Sequence, residues 1–167
     1  MAEKMKRVNA VLRHPLYSEC SRKLEELEQG RIFCRHQMNH LLDVARIAYI
    51  TALEEGLPLE KETIYLAAVL HDIGKYAQYE EGIPHEKAGA KIAEQILDEL
   101  PSDCICTPEE KQMILTAILG HRRLKGDAEP LERLLYMSDK ASRMCFACPA
   151  ERECDWDEEK KNMEIEI

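Results

Sequence analysis

Apolar residues recur along most of the chain at the three- and four-residue spacing of amphipathic helices. No alternation of apolar and polar residues runs longer than about four positions, so the pattern predicts an all-α fold, a single bundle of roughly six to seven helices. Residues 60–72 carry a nearly continuous apolar run and predict a central, buried helix. Residues 76–84, which include Gly82 and Pro84, are expected to form a loop. The predicted helices span residues 16–29, 36–55, 60–72, 85–100, 107–120 and 130–144.

The overall charge narrows the classes of partner. The chain of 167 residues has a formal net charge of −9 and a pI near 5.2, which argues against an extended nucleic-acid surface. No apolar run approaches the roughly 20 residues of a membrane span, and the basic segment 1–13 lacks the apolar core of a secretion signal. We therefore expect a cytoplasmic protein without a membrane partner, in which the seven cysteines are free thiols or metal ligands.

Histidine and aspartate residues fall at the ends or on the apolar faces of five predicted helices. His40, for example, shares a helical face with Val44 and Ala48 and should project into the core. A single buried histidine is more often a hydrogen-bonded core residue than a ligand, but buried carboxylates need a compensating charge, which a metal supplies. By spacing alone the two interpretations are equally good. The candidate ligands are His40, His71, Asp72, His85, His121 and Asp139.

The order of these residues resembles the HD superfamily of helical metal-dependent phosphohydrolases. The pattern that names this superfamily is matched here by His40, His71-Asp72 and Asp139, and the resemblance extends over about residues 36–144. It therefore implies an HD-type helical bundle. The local strings that agree are HLLDVAR at residues 40–46, LHDIGK at 70–75, HEKAGA at 85–90 and MSDK at 137–140.

His85 and His121 match two additional histidines of the dinuclear branches of the superfamily. Those branches include the HD-GYP cyclic dinucleotide phosphodiesterases and the bacterial symmetric dinucleoside tetraphosphate hydrolases. The chain lacks the Gly-Tyr-Pro signature, and its size suits the second group better. In that group the second additional histidine is commonly followed by threonine, whereas here the string is His121-Arg122.

The resemblance implies two divalent metal ions, iron or manganese, with Asp72 bridging them. The implied reaction is hydrolysis of a phosphoester or phosphoanhydride in a nucleotide or dinucleotide by a metal-bridging hydroxide. The remaining ligands would divide into His40, His71 and Asp139 around one ion, and His85 and His121 around the other.

Basic residues beside these ligands would bind the phosphate groups of a small substrate. Lys75, Arg122 and Arg123 are the expected phosphate ligands, and Asp72, Lys75 and Arg122 the expected catalytic residues. For the two arginines, a solvated connector between helices is nearly as good an interpretation. An HD-type di-iron oxygenase and a non-catalytic, metal-stabilised binding module remain alternative functions, but phosphate-binding residues favour the hydrolase.

A second set of candidate ligands is the C-x2-C-x5-C run of Cys145, Cys148 and Cys154. Three thiolates need a fourth partner for a zinc ion or an iron–sulfur cluster. Cys34 lies six residues before one candidate metal ligand and Cys145 six residues after another. If both helices extend that far and run antiparallel, the two thiols reach the same level. His36 is a competing fourth ligand, and unligated free thiols remain the alternative.

The remaining cysteines, Cys20, Cys104 and Cys106, are expected to take no part in this site, whereas Trp156 should pack near it. The expected organisation is an N-terminal helical extension over residues 1–30 and an HD-type catalytic domain over 31–144. An acidic, cysteine-containing segment over 145–167 should pack on that domain.

Overall fold

The computed structural model describes residues 4–165, and all regular structure in this range is helical. The described residues form eight α-helices and two short 3-10 helices without any strand, which confirms the all-α fold class. None of these helices is long and apolar enough to cross a lipid bilayer. The α-helices are α1 (Lys6–Arg13), α2 (Pro15–Leu27), α3 (Met38–Glu54), α4 (Lys61–Leu70), α5 (Lys75–Glu81), α6 (His85–Asp98), α7 (Pro108–Gly120) and α8 (Pro130–Ala141), and the 3-10 helices are Cys145–Ala147 and Glu151–Glu153.

Two short helices depart from the sequence-based prediction. The loop predicted over residues 76–84 is wrong, because α5 occupies most of it. Only Ala77 of α5 is buried, so the helix has no apolar periodicity, and Gly82 ends it in the left-handed region with φ of 70°. Helix α1 was anticipated only as part of a helical extension, since Val8 and Val11 are its two buried residues.

Helix α4 lies at the centre of the bundle, as its apolar run predicts. Seven of its ten residues are buried, and it packs against α1, α3, α7 and α8. The N-terminal helices join the same core: Val11 is fully buried, and the hydroxyl of Tyr17 donates a hydrogen bond of 3.1 Å to the carbonyl of Val69. Because α4 is enclosed, its C-terminal end delivers His71 and Asp72 into the protein interior.

Two glycines allow the start of α5 and the first turn of α6 to approach closely. A Cβ atom on Gly74 would overlap the backbone nitrogen of Gly89 and the carbonyl oxygen of His85. A Cβ atom on Gly89 would lie 3.4 Å from the carbonyl oxygen of His71. This backbone contact fixes the distance between His71-Asp72 and His85.

The chain after α8 folds back on the end of that helix. The side-chain amide of Asn162 donates hydrogen bonds to the carbonyls of Ala141 at 2.9 Å and Arg143 at 2.7 Å. The ammonium of Lys161 lies 2.6 Å from the carboxylate of Glu151. These contacts tie residues 161–162 to the end of α8 and to the second 3-10 helix.

Candidate metal centre

The structure brings all six candidate His and Asp ligands together in the interior, in two groups that share Asp72. Within each group the ligand atoms lie within 4.8 Å of one another, and every member is buried. Helix ends supply much of the set: His71 is the C-cap of α4, His121 is the C-cap of α7, and His85 begins α6. The first group is His40, His71, Asp72 and Asp139, and the second is Asp72, His85 and His121.

The two carboxylate oxygens of Asp72 face different groups. Its Oδ2 atom lies 3.0 Å from Nε2 of His71 and 3.4 Å from Nε2 of His40. Its Oδ1 atom lies 3.6 Å from Nε2 of His85 and 3.6 Å from Nε2 of His121. This is the geometry of a bridging carboxylate.

Hydrogen bonds on the far side of three rings set their tautomers. Nδ1 of His71 lies 2.7 Å from the carbonyl of Ala68, and Nδ1 of His121 lies 2.6 Å from the carbonyl of Ile118. Carbonyl oxygens only accept, so both Nδ1 atoms carry the proton. In His85, Nδ1 is placed 2.6 Å from the side-chain oxygen of Gln78. The Nε2 atoms of these three rings are therefore directed at Asp72, as in metal-binding histidines.

The arrangement of these Nε2 atoms fits bound cations. Nε2 of His71 is fully buried, and although Oδ2 of Asp72 lies 3.0 Å away, the angles of that contact are not those of a hydrogen bond. The Nε2 atoms of His85 and His121 lie 3.0 Å apart. Two unprotonated nitrogens repel at that distance, so either a proton on one of them or a bound cation lies between them, and a buried nitrogen without a hydrogen bond is costly. Imidazole nitrogen and carboxylate oxygen are the donors that divalent iron and manganese accept.

The pKa shifts of the ligands show that the carboxylates between the histidines favour a positive charge there. Burial lowers the pKa of His71, but Asp72 and Asp139 outweigh it and raise that pKa to about 10, so without a metal Nε2 carries a proton that a bound cation would replace. Burial lowers the pKa of His85 to about 3, so its ring is neutral, as metal binding requires. Burial raises the pKa of Asp72, but the histidines, His71 foremost, hold that pKa well below its usual range. The carboxylates are therefore ionised in the folded protein.

Arg143 is a residue of this centre that the sequence-based analysis missed. Its guanidinium is buried, with Nη2 lying 2.9 Å from Nε2 of His40 and 3.4 Å from Oδ1 of Asp139. Its Nη1 donates to the carbonyl of Arg35 at 3.1 Å. Arg143 follows Asp139 by four residues, one helical turn, and that spacing was the available signal.

Lys75, the first residue of α5, is a partly buried ammonium. Within residues 4–165 it forms no ion pair with any carboxylate. Burial lowers its pKa most, whereas the charge of Asp72 raises it. The guanidinium groups of Arg31, Arg122 and Arg143 lower that pKa further. Positive charge is thus concentrated beside the metal centre of an acidic protein.

The other two predicted phosphate ligands lie in the connector after α7. Arg122 and Arg123 are both exposed. Nη1 of Arg122 lies 3.6 Å from the carboxylate of Glu86, in the first turn of α6. Within the described range, no ion pair or side-chain hydrogen bond ties Arg123 to the six ligands. The structure therefore places Lys75 and Arg122 beside the centre and leaves Arg123 without a contact to it.

A buried carboxylate, Glu28, supports the histidine that precedes α3. It accepts hydrogen bonds from the backbone N–H of His36 at 2.8 Å and from the hydroxyl of Tyr79 at 2.9 Å. Nδ1 of His36 lies 2.5 Å from it, and the ring of His36 meets that of His40 edge-on, with centroids 6.0 Å apart. No sequence signal distinguishes Glu28 from the other acidic residues of the predicted helix 16–29.

The helical geometry that predicted the cysteine site is wrong in detail. Helix α3 begins at Met38 and α8 ends at Ala141, so neither helix reaches Cys34 or Cys145. The structure nevertheless places both thiols around one cavity, together with those of Cys148 and Cys154. Trp156 lines the same cavity. The other three cysteines are buried elsewhere in the apolar core: Cys20, Cys104 and Cys106.

Comparisons with known proteins agree with this geometry. A family model described as HD domain matches residues 38–144. An uncharacterized protein of Clostridium beijerinckii is 43% identical over 161 residues, which cover 96% of this chain and 99% of that protein. A crystal structure of a predicted HD superfamily hydrolase from an uncultured Thermotogales bacterium superimposes with a TM-score of 0.63 at 18% identity, covering 91% of this chain and 82% of the other.

More distant similarity extends to larger proteins named ribonuclease Y. The one from Acetivibrio thermocellus is 27% identical over 139 residues, and the one from Oleidesulfovibrio alaskensis is 26% identical over 139 residues. These matches cover 83% of this chain but only 23% and 24% of the relatives. The chain thus spans about a quarter of the length of these relatives.

Proposed function

Because this chain belongs to the HD domain family, we propose that it is a metal-dependent phosphohydrolase acting on a nucleotide or dinucleotide. The observation that carries the proposal is the position of Asp72. Its two oxygens face separate sets of imidazoles within a buried pocket, and cationic side chains surround it. This combination suits a reaction at a phosphoryl group rather than simple metal storage.

The residues that would hold the metals follow from the two groups around Asp72. Asp72, His40, His71 and Asp139 would bind one ion, and Asp72, His85 and His121 the other. When bound, divalent iron or manganese would supply Lewis acidity that activates water and stabilises negative charge on the phosphoryl oxygens.

The protein's own cations would orient the substrate. The ammonium of Lys75 is partly buried without an ion pair, so a phosphate oxygen would supply the partner that the fold does not. Arg122 lies on the exposed side of the centre and would bind an outer phosphate group. Arg143 is already held by His40 and Asp139, and we assign it the positioning of those two ligands.

The distribution of charge over the protein favours a small phosphorylated substrate. The net charge of −9 opposes the approach of a long polyanion, whereas the local cluster of cations accepts a few phosphates. The name of the ribonuclease Y relatives indicates an RNA substrate for those proteins, which supports phosphoester chemistry here. Within this class we propose a dinucleoside polyphosphate, because the dinuclear ligand set resembles that of the symmetric dinucleoside tetraphosphate hydrolases.

The test is a turnover assay on the full chain, prepared without air and loaded with manganese or ferrous iron. Substrates would be bis(4-nitrophenyl) phosphate, dinucleoside polyphosphates and cyclic dinucleotides, with oxygen uptake followed in parallel. We expect metal-dependent hydrolysis that falls by more than about 100-fold in Asp72→Asn, because both ions lose a ligand. The matched control is Asp98→Asn, at the far end of α6, where the carboxylate is exposed and pairs with Lys111 at 2.6 Å.

Two results would overturn the proposal. Oxygen uptake that depends on iron, without hydrolysis of any phosphate substrate, would assign the chain to the di-iron oxygenases. Full metal loading without turnover of either kind would indicate a non-catalytic, metal-stabilised binding module.

A further inference from the structure

Four thiols converge on a cavity of about 110 Å³ beside the metal centre. Cys34 comes from the connector before α3, and the other three come from the segment after α8. Burial raises the pKa of the Cys145 thiol, and the neighbouring thiols of Cys34, Cys154 and Cys148 raise it further. Four thiols around a cavity contribute little packing to the fold, so their arrangement is better explained by a bound ligand.

The backbone after α8 is shaped to present thiols to one point. Cys145 begins a 3-10 helix, and Cys148 is its C-cap. Residues three apart eclipse one another in a 3-10 helix, so these two side chains leave the backbone on the same side. The second 3-10 helix, Glu151–Glu153, returns the chain so that Cys154 also lines the cavity.

Four thiolates can hold either a zinc ion or an iron–sulfur cluster, and the two ligands require different spacings of the sulfur atoms. In a tetrahedral zinc site with Zn–S bonds of about 2.3 Å, every pair of sulfurs lies roughly 3.8 Å apart. Among the described residues, no three of these four thiols have their sulfur atoms within 4.8 Å of one another. In a cubane cluster each thiolate binds a different iron, so the sulfurs stand farther apart.

The volume and charge of the cavity agree with a cluster. A water-sized sphere needs only about 10–15 Å³ on the same scale, so 110 Å³ exceeds the space of a single ion several-fold. The charged side chains that line the cavity are four cations and two carboxylates, so the balance is positive: Arg31, Lys75, Arg143, Lys161, Glu151 and Asp155. This positive balance would offset the net negative charge of a cluster with four thiolate ligands.

We infer that Cys34, Cys145, Cys148 and Cys154 bind a [4Fe–4S] cluster, one thiolate to each iron. The site shares no ligand with the His/Asp centre, and the inference does not rest on the proposed hydrolase. Two cations that line the cavity, Lys75 and Arg143, also lie beside that centre, and Nη2 of Arg143 lies 2.9 Å from Nε2 of His40. The cluster thus holds the Arg143 segment against the metal centre.

The test measures iron and acid-labile sulfide in the full chain. The protein would be prepared without air, its His/Asp centre filled with manganese, and the thiols reconstituted with ferrous iron and sulfide. Because imidazole and carboxylate centres contain no sulfide, that element reports on the cluster alone. We expect about four irons and four sulfides per chain, with the visible absorption of a cluster. A Cys145→Ala/Cys148→Ala double variant should lose the sulfide, whereas Cys104→Ala, which removes a core thiol outside the set, should retain it.

A second measurement covers the case in which the variant misfolds. Alkylation of the wild-type chain with iodoacetamide, read by mass spectrometry, should modify Cys34, Cys148 and Cys154 in the empty protein and spare them after reconstitution. Binding of one zinc by these thiols with no uptake of sulfide would overturn the inference. Retention of sulfide in a folded Cys145→Ala/Cys148→Ala variant would do the same. Neither readout depends on phosphohydrolase activity, so failure of this inference is distinguishable from failure of the proposed function.

Discussion

Among single residues, Lys75 has the most direct consequence for substrate binding. Removing its ammonium in Lys75→Ala should lower kcat/KM by about 10- to 100-fold, because a charge-assisted hydrogen bond contributes roughly 1.5–3 kcal/mol. Metal content should not change, since Lys75 is not a ligand. The matched control is Lys91→Ala, an exposed lysine on α6. Equal loss of activity in both variants, or no loss in Lys75→Ala, would contradict the assignment.

Glu28 has a consequence for stability and its dependence on pH. Burial raises the pKa of Glu28, but hydrogen bonds and charge from His36, and the hydroxyl of Tyr79, outweigh it and hold that pKa below its ordinary value of 4.5. Ionised Glu28 therefore stabilises the fold above pH 4.5, and this contribution is lost as the pH falls through the lower, folded pKa.

Glu28→Gln should accordingly lower the Tm of the metal-free protein at neutral pH by about 3–10 °C, for a loss of roughly 1–3 kcal/mol. The gap between wild type and variant should close in acid, and thermal unfolding followed by circular dichroism from neutral pH down to about pH 3 measures it. Glu25→Gln, at an exposed position on α2, is the control. A gap that stays constant with pH would show that Glu28 acts by shape and not by charge.

Some residues of the metal centre could be predicted from the sequence, and others could not. The six ligands were predictable because each stands at a helix end or on an apolar face, where imidazole or carboxylate is out of place. Arg143 and Glu28 were not predicted, because charged residues are frequent in this chain and burial of one of them depends on tertiary packing. The partner of Arg143, His40, is distant in sequence, and the partner of Glu28, His36, lies eight residues away across an irregular connector.

Among the contacts between helices, the one between the start of α5 and α6 leaves no room for an added side-chain atom. Gly74→Ala would force a methyl group into the backbone of Gly89, and neither backbone can move without shifting His85. We expect a loss of about 1–3 kcal/mol, or a Tm lower by about 3–10 °C, together with weaker metal binding. Gly30→Ala is the control, since nothing lies within 4 Å of a Cβ atom there. Calorimetric melts of both variants give the comparison, and equal melts would refute the steric account.

A helix could be predicted from the sequence where one of its faces is buried, because burial produces a helical spacing of apolar residues. Helix α4 has apolar residues on nearly every side and was identified as central from its sequence. Helix α5 has one buried residue, and its boundaries are set by Gly74 and Gly82, which a sequence presents equally well as a loop. Cys34 and Cys145 likewise lie in irregular connectors, because α3 begins after Cys34 and α8 ends before Cys145. The prediction that they meet assumed longer helices.

For the whole molecule, metal binding and folding are linked. Ligands that only the folded chain assembles stabilise it by about 2.7 kcal/mol per site at a metal concentration of 100 Kd. Manganese should therefore raise the Tm of the wild type by about 5 °C or more. Asp72→Asn should abolish the shift because both groups share that carboxylate, whereas His121→Ala should keep part of it. Differential scanning fluorimetry with and without manganese decides the matter, and an undiminished shift in Asp72→Asn would exclude Asp72 as the shared ligand.

The bridging position of Asp72 also sets an order of events during synthesis. The second group is complete in the chain once His121 has been made, whereas the first group waits for Asp139 on the last helix. A nascent chain on the ribosome thus holds the shared carboxylate with only one of its two partner sets. Full occupancy is reserved for chains that have been translated through α8, so a truncated product cannot assemble the complete centre.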